Sequence, residues 1–167
     1  LCFDIYLSMK KFNNLSKPIK ITIIAIVSLV LSALLFYISR INYLLFHTSA
    51  ELFSIVIAVA FFIIVWNARK YSDSTALLRI GTAYLFIAFL DLLHALQYKG
   101  MAIFTDYDYY ANQVWIATRY IESLTLFFLL LITGRSGEKK RYGIVFIVYS
   151  LLTAAVIGTV FIWKVFP

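Results

Sequence analysis

The sequence predicts an all-α fold, a polytopic transmembrane helix bundle with about five spanning helices. Hydrophobic residues make up 63% of the 167 residues and charged residues 14%, whereas an ordinary soluble domain has roughly 25% charged residues. Five apolar runs of 19 to 23 residues are long enough to cross a hydrocarbon layer of roughly 30 Å as helices. Lipid offers the backbone no hydrogen-bond partners, and the chain lacks the short alternating segments of a strand barrel, so these runs must be helical.

The first predicted helix, residues 21–39, follows a basic segment, as the apolar part of a signal peptide would. The run is too long for a signal peptide, however, and no small-residue cleavage site precedes Arg40. We therefore expect it to stay in the membrane as an anchor. Residues 1–20 are predicted to form a cytoplasmic N-terminal segment.

Four further helices are predicted to complete a transmembrane domain over residues 21–166. They cover the apolar runs 44–66, 77–96, 114–132 and 144–163. Tyrosine and tryptophan residues lie near the ends of these runs, where the two membrane interfaces would be. The lipid bilayer is therefore the first partner that the sequence predicts.

Lysine and arginine residues predict the orientation of the bundle, because cytoplasmic loops carry an excess of them. Basic groups precede helix one, join helices two and three, and join helices four and five: Lys10, Lys11, Lys17 and Lys20; Arg69, Lys70 and Arg79; Arg135, Lys139, Lys140 and Arg141. The opposite side carries only Arg40, Lys99 and Lys164, with Asp106 and Asp108 in the longest loop. The N-terminus is therefore predicted to lie on the cytoplasmic side of the membrane. Because the basic residues form short clusters between apolar runs, nucleic acid is not the expected partner despite the net charge of +7.

Nothing in the chain predicts catalysis. It has no glycine-rich phosphate loop, no HExxH or GxSxG motif, and no kinase or cyclase signature. Cys2 is the only cysteine, so an internal disulfide and a CxxC motif are both excluded. Five crossings from an inside N-terminus would leave Pro167 outside, so we expect a truncated chain whose last helices and cytoplasmic output domain would follow.

Six ionisable side chains lie within the predicted spans, where a charge is costly and marks a candidate functional residue. Helices two, three and four each carry a pair spaced three or four residues apart, which puts both members on one face. With about 1.5 Å of rise per residue, all six lie roughly 3 to 12 Å from the outer end of their helix. Since neighbouring helices run in opposite directions, this shared depth predicts one polar pocket in the outer half of the bundle. The six residues are His47, Glu51, Asp91, His94, Arg119 and Glu122.

The predicted pocket could receive a ligand. Three carboxylates and one guanidinium give it a formal charge of −2 with neutral histidines, which suits a divalent cation or a protonation event. His47, His94, Glu51 and Asp91 are acceptable ligands for a first-row transition metal. The two histidines, on antiparallel neighbours, could alternatively ligate haem from both faces.

The same residues also allow a purely structural interpretation. Arg119 would neutralise Glu122 or Asp91, and the histidines would hydrogen-bond across helices, so that the cluster only fixes helix packing. Three aromatic residues flank the cluster and could cover it or serve as interface anchors: Tyr98, Trp115 and Tyr120.

Three stretches resemble the membrane-associated sensor family, third class. They are residues 46–51 (FHTSAE), residues 90–94 (LDLLH) leading into 98–101 (YKGM), and residues 115–122 (WIATRYIE), in matching order and spacing. In that family the domain is an N-terminal multi-helix input region fused to histidine kinases, or to cyclases and phosphodiesterases that handle cyclic di-GMP. The family's characteristic polar residues fall on the same six positions. The resemblance implies a sensory input module with a cytoplasmic output domain, and the family context suggests a homodimer.

A small haem-bearing redox protein or a transporter is the alternative from another class, because histidines and acidic residues share one depth. Against transport, the chain has no inverted repeat, and neither Pro18 nor Pro167 breaks a span. A plain anchor with structural polar contacts is the third alternative.

Overall fold

The computed structural model describes residues 16–71, 74–101, 103, 109–132 and 142–166. These residues form five α-helices and no β-strand, which confirms the predicted all-α class. The helices are α1 (Lys17–Ile41), α2 (Tyr43–Ala68), α3 (Thr75–Gln97), α4 (Tyr110–Ile132) and α5 (Tyr142–Ile157), and α5 continues as a π-helical turn, Gly158–Ile162. Each predicted run lies within one of these elements to within one residue. Several residues used for the sequence predictions lie outside the described part: Cys2, Lys10, Lys11, Asp106, Asp108, the basic residues of the segment 135–141, and Pro167.

Four helices in the described part are long and apolar enough to cross a membrane. They are Lys17–Ile41, Tyr43–Ala68, Thr75–Gln97 and Gly143–Ile162. The remaining helix, α4, has 23 residues and is not among these candidate spans. Its crossing, and with it the fifth span, stays a prediction.

The chain divides into two compact units, residues 1–47 and 48–167. In its described part the first unit consists of α1 and the first turn of α2. Pro18 lies in the first turn of α1, where its missing N–H is not needed. The Asn42 side-chain oxygen accepts a hydrogen bond from the Leu45 N–H at 3.0 Å and caps the start of α2. No residue of α1 is buried, so its apolar surface is of the kind that lipid covers.

Helix α3 is the central element of the second unit. It contacts α2 through Gly81, α4 through His94 and α5 through Phe86. The three neighbours bury ten of its residues: Leu78, Gly81, Thr82, Ala83, Ile87, Ala88, Leu90, His94, Ala95 and Gln97. Two of these ten are polar side chains near the C-terminal end of the helix, and a polar group at a packed position needs hydrogen-bond partners.

The C-terminal end of the described chain packs against the first turns of α4. The Trp163 N–H donates to the Gly158 carbonyl at 2.9 Å, the five-residue spacing of a π-turn. The Gln113 side chain donates from Nε2 to the Phe166 carbonyl at 2.7 Å. Val160 is fully buried and joins Leu90 and Val114 in the core. The start of α4 is thereby fixed between α3 and the π-helical turn.

A tight contact at Gly81 tests the packing of α3 on α2. A Cβ atom at Gly81 would lie 2.9 Å from both Cβ and Cγ1 of Val65, a stiff β-branched side chain that cannot easily move away. We expect Gly81→Ala to destabilise the protein by about 1–3 kcal/mol, as overpacking does. Thermal unfolding in detergent measures the effect. Gly143→Ala is the matched control, because nothing lies within 4 Å of its added Cβ, and an equal loss in both variants would contradict the contact.

Candidate polar site within the bundle

Arg119 on α4 forms ion pairs with two carboxylates. Its Nη2 atom lies 2.5 and 2.7 Å from the two carboxylate oxygens of Asp91 on α3. Its Nη1 atom donates to Glu122 Oε2, one turn further along α4, at 2.5 Å. Charge-assisted hydrogen bonds of this length are roughly twice as strong as neutral ones. One guanidinium therefore pairs with two acidic groups and fixes α3 against α4.

Tyr84 extends this network towards the other end of α3. Its hydroxyl donates to Glu122 Oε1 at 3.1 Å, so both oxygens of that carboxylate have donors. The Tyr84 ring also packs edge-on against Phe61 of α2, with centroids 5.9 Å apart. We call Tyr84, Asp91, Arg119 and Glu122 the arginine network. With Tyr84 neutral, its two carboxylates and one guanidinium leave a formal charge of −1.

Glu51 and His94 form a second polar contact, between α2 and α3. Glu51 Oε1 lies 2.9 Å from His94 Nε2. The other ring nitrogen, Nδ1, lies 2.8 Å from the Ala111 carbonyl in the first turn of α4. His94 is only 5% exposed. The buried imidazole therefore connects α3 to α2 through one nitrogen and to α4 through the other.

The partners of His94 specify where its protons are. A carbonyl oxygen only accepts, so Nδ1 must donate to Ala111. A carboxylate oxygen and an unprotonated Nε2 are both acceptors, so the contact with Glu51 requires one proton between them, on the imidazole or on the carboxyl group. Either placement makes the Glu51–His94 pair neutral overall. The pair thus places no net charge in an apolar environment, where an unpaired charge would be costly.

Five of the six predicted residues lie in these two groups within the second unit: Glu51 and His94 in one, and Asp91, Arg119 and Glu122 in the other. His47 belongs to the first unit, where its ring stacks on Tyr43 at a centroid distance of 5.9 Å. Its place in a common pocket stays a prediction.

The three flanking aromatic residues differ in their surroundings. The Tyr98 ring meets His94 edge-on, with centroids 6.2 Å apart. Trp115 and Tyr120 on α4 are 47% and 66% exposed. Such exposed aromatic side chains suit anchors at a membrane interface. Of the three, Tyr98 is the one that contacts a residue of the polar cluster in the described structure.

The hydrogen bonds of the predicted metal ligands show which of their atoms could bind a metal ion. Both Asp91 oxygens are engaged by Arg119, so Asp91 could bind a metal ion only by giving up its ion pair. His94 Nε2 and Glu51 Oε1 could turn towards an ion, but the ion would have to replace the hydrogen bond between them. Haem iron bound to His94 Nε2 would likewise have to replace the hydrogen bond to Glu51. Glu51 and His94 are thus engaged with each other by a hydrogen bond, and the predicted metal site stays a prediction.

Two features of the site were not among the sequence predictions. Tyr84 lies seven residues, or two turns, before Asp91, so the helical period that paired Asp91 with His94 could also have included it. The Ala111 carbonyl is a backbone group and leaves no signal in the sequence.

The arginine network predicts a specific pattern of stability changes. Arg119→Met leaves two partly buried carboxylates without a cation, and we expect a loss of about 1–3 kcal/mol in unfolding free energy. The triple variant Asp91→Asn/Arg119→Met/Glu122→Gln removes all three charges, and most of the stability should return. Tyr84→Phe removes one hydrogen bond and should cost about 0.5–1.5 kcal/mol. Thermal or denaturant unfolding in detergent compares the variants. A triple variant no more stable than Arg119→Met would disprove charge compensation.

The comparisons with known proteins agree with this architecture. No curated protein and no solved structure matches the chain. The model of the MASE3 family, described as a membrane-associated sensor domain, matches residues 38–167, well over half of the sequence. The matched range includes α2 to α5 and all six predicted polar residues. The chain therefore belongs to the MASE3 family of membrane-associated sensor domains, as its resemblance at the three stretches predicted.

Proposed function

We propose that this multi-pass membrane sensor domain is the input module of a bacterial signal-transduction protein, and that the Glu51–His94 pair is its sensing element. The observation that carries the proposal is the position of His94, which joins three helices through two nitrogens. A ligand, metal ion or proton that changed the Glu51–His94 contact would alter how α2 and α4 pack on α3. A shift in the balance between two helix arrangements is a common signal across a bundle.

The arginine network has a different role in this proposal. Its charge-assisted hydrogen bonds join α3 to α4 firmly, so it supplies a fixed frame. The hydrogen bond between Glu51 and His94 depends on one proton, so we expect it to be the contact that a stimulus changes most easily. The structural interpretation therefore fits Arg119, and the sensing interpretation fits His94.

The output of the module is proposed from the family. Histidine kinases and enzymes that make or degrade cyclic di-GMP are the expected output domains, and a homodimer is the expected assembly. The proposed location is the bacterial inner membrane, with the N-terminus in the cytoplasm, where the basic segments predict it.

The single cysteine tests the orientation. If the N-terminus is inside, a membrane-impermeant maleimide should leave Cys2 unlabelled in intact spheroplasts and label it after permeabilisation. The control is Cys2→Ser with a cysteine in place of Lys164, on the predicted outer side, which should react in intact spheroplasts. Immediate labelling of Cys2 without permeabilisation would reverse the proposed orientation.

The sensing role is tested in a fusion of the domain to a cyclase or kinase output. We expect Glu51→Gln and His94→Ala to reduce the change in output on stimulation by about tenfold, within the range of typical coupling free energies. Phe127→Leu, at an exposed position of α4 outside the polar cluster, is the matched control and should respond normally. Immunoblotting confirms equal membrane levels. A full response in both Glu51 and His94 variants would leave the pair with a packing role only.

Metal analysis and an absorption spectrum of the same purified domain identify one class of stimulus. A stoichiometric metal or a haem band that disappears in His47→Ala/His94→Ala would assign that ligand and include His47 in the site. An unchanged, colourless and metal-free protein would exclude both ligands at this position.

A further inference from the structure

A buried glutamine lies one turn beyond the Glu51–His94 contact. Gln97, the last residue of α3, is 7% exposed, and neither its Nε2 nor its Oε1 atom has a hydrogen-bond partner among the described residues. A primary amide without partners in such a position costs roughly 1–3 kcal/mol. Gln113, a second buried glutamine, differs because its Nε2 donates to the Phe166 carbonyl. The Gln97 amide is thus an unusual group that packing alone does not explain.

Thr48 on α2 presents a second unpartnered polar atom. Its hydroxyl oxygen is buried and without a hydrogen-bond partner in the described structure. Helical threonines elsewhere in the chain satisfy their hydroxyl by donating to the carbonyl four residues earlier, as Thr82, Thr118 and Thr125 do at 2.6 to 2.9 Å. The Thr48 hydroxyl makes no such hydrogen bond within its own helix. Its hydroxyl is available to a partner outside its own helix.

The packing of α2 on α3 places the two groups opposite each other. Glu51 contacts His94, and ten residues further along α2, Phe61 contacts Tyr84, ten residues back along α3. The contact of Val65 with Gly81 continues this antiparallel register to within one residue. Thr48 lies three residues before Glu51 on α2, and Gln97 lies three residues after His94 on α3. The same register therefore pairs Thr48 with Gln97. Both lie one helical turn from the Glu51–His94 pair, on the same side of it.

We propose that Thr48 and Gln97 form a binding site for a small uncharged molecule that carries a carbonyl next to an N–H, such as a carboxamide or a urea. The glutamine amide offers one acceptor and two donors in a plane, and it can form two parallel hydrogen bonds with such a group. The Thr48 hydroxyl can donate or accept at the remaining position. The site adjoins the Glu51–His94 pair, so its occupant is the stimulus of the sensory module proposed above, and the inference rests on that function in this respect.

The donors and acceptors of the Gln97 amide favour an uncharged ligand. A carboxylate offers acceptors only, so it would leave the Gln97 carbonyl without a donor. An ammonium ion offers donors only, so it would leave the Gln97 N–H groups without an acceptor. A carboxamide satisfies both ends.

The sequence allows a direct measurement, because it contains only two glutamines, Gln97 and Gln113. The full chain in lipid nanodiscs, labelled with side-chain ¹⁵N-glutamine, should give two side-chain amide signals, and Gln97→Leu assigns them. Acetamide is the probe, with acetate and methylammonium as charged controls. We expect acetamide to shift the Gln97 signal saturably, the charged probes to leave it in place, and the Gln113 signal to stay constant because its hydrogen bond to Phe166 is already made.

Two threonine variants complete the test. Thr48→Val should weaken acetamide binding about five- to tenfold, the size expected for one hydrogen bond. Thr118→Val, which removes a buried hydroxyl bonded within its own helix, should leave the affinity unchanged. An unchanged Gln113 signal shows that each variant is folded.

Three results would overturn the proposal: equal shifts of both glutamine signals, a Gln97 signal that responds to acetate as strongly as to acetamide, or a Gln97 cross-peak to water with no response to acetamide. The last result would assign ordered water to the amide. Each of them concerns binding alone, so the sensing role of Glu51 and His94 would still be decided by the fusion experiment.

Discussion

The structure of the second unit depends on one guanidinium shared by two carboxylates. In a hydrocarbon environment a charge without a partner is expensive, and Arg119, Asp91 and Glu122 remove that cost for one another. The pairing can be made only when α3 and α4 have one relative height and rotation. Tyr84 adds a neutral donor to the same network and contacts Phe61, so the constraint reaches α2 as well. A purely apolar interface would restrict sliding between the helices much less.

The Glu51–His94 contact is a weaker connection between helices than the ion pairs of the arginine network. It connects helices whose positions the arginine network and the aromatic packing already limit, and it depends on a single proton. Ala111, the acceptor for His94 Nδ1, lies in the turn of α4 that also holds Gln113. Gln113 in turn bonds the Phe166 carbonyl beyond the π-helical turn. A change at His94 therefore has a continuous path of contacts to Phe166, as the proposed sensing role requires.

The sequence predicts the helices well because length and apolar composition are local properties. The observed helices extend a few residues beyond the predicted runs where polar residues form their ends. α1 begins at Lys17, since Pro18 fits a first turn, and α4 begins at Tyr110, where Gln113 has a partner beyond α5. The periodicity also pairs the residues of the site on each helix. From the helical periodicity alone, either Asp91 or Glu122 could be the partner of Arg119. The structure uses both, because the choice depends on how α3 and α4 pack. The contact at Ala111 and the opposition of Thr48 and Gln97 depend on backbone position and register, which residue types do not encode.

The arginine network also bears on how the protein is made. Asp91 precedes its partner Arg119 by 28 residues, so the ribosome delivers α3 before the compensating charge exists. During that interval an isolated α3 would carry a carboxylate into lipid with nothing to neutralise it. Arrival of α4 beside α3 at the insertion machinery would remove that cost. With α4 crossing as predicted, the ion pair that joins the two helices in the finished domain would also favour their entry into the membrane as a pair.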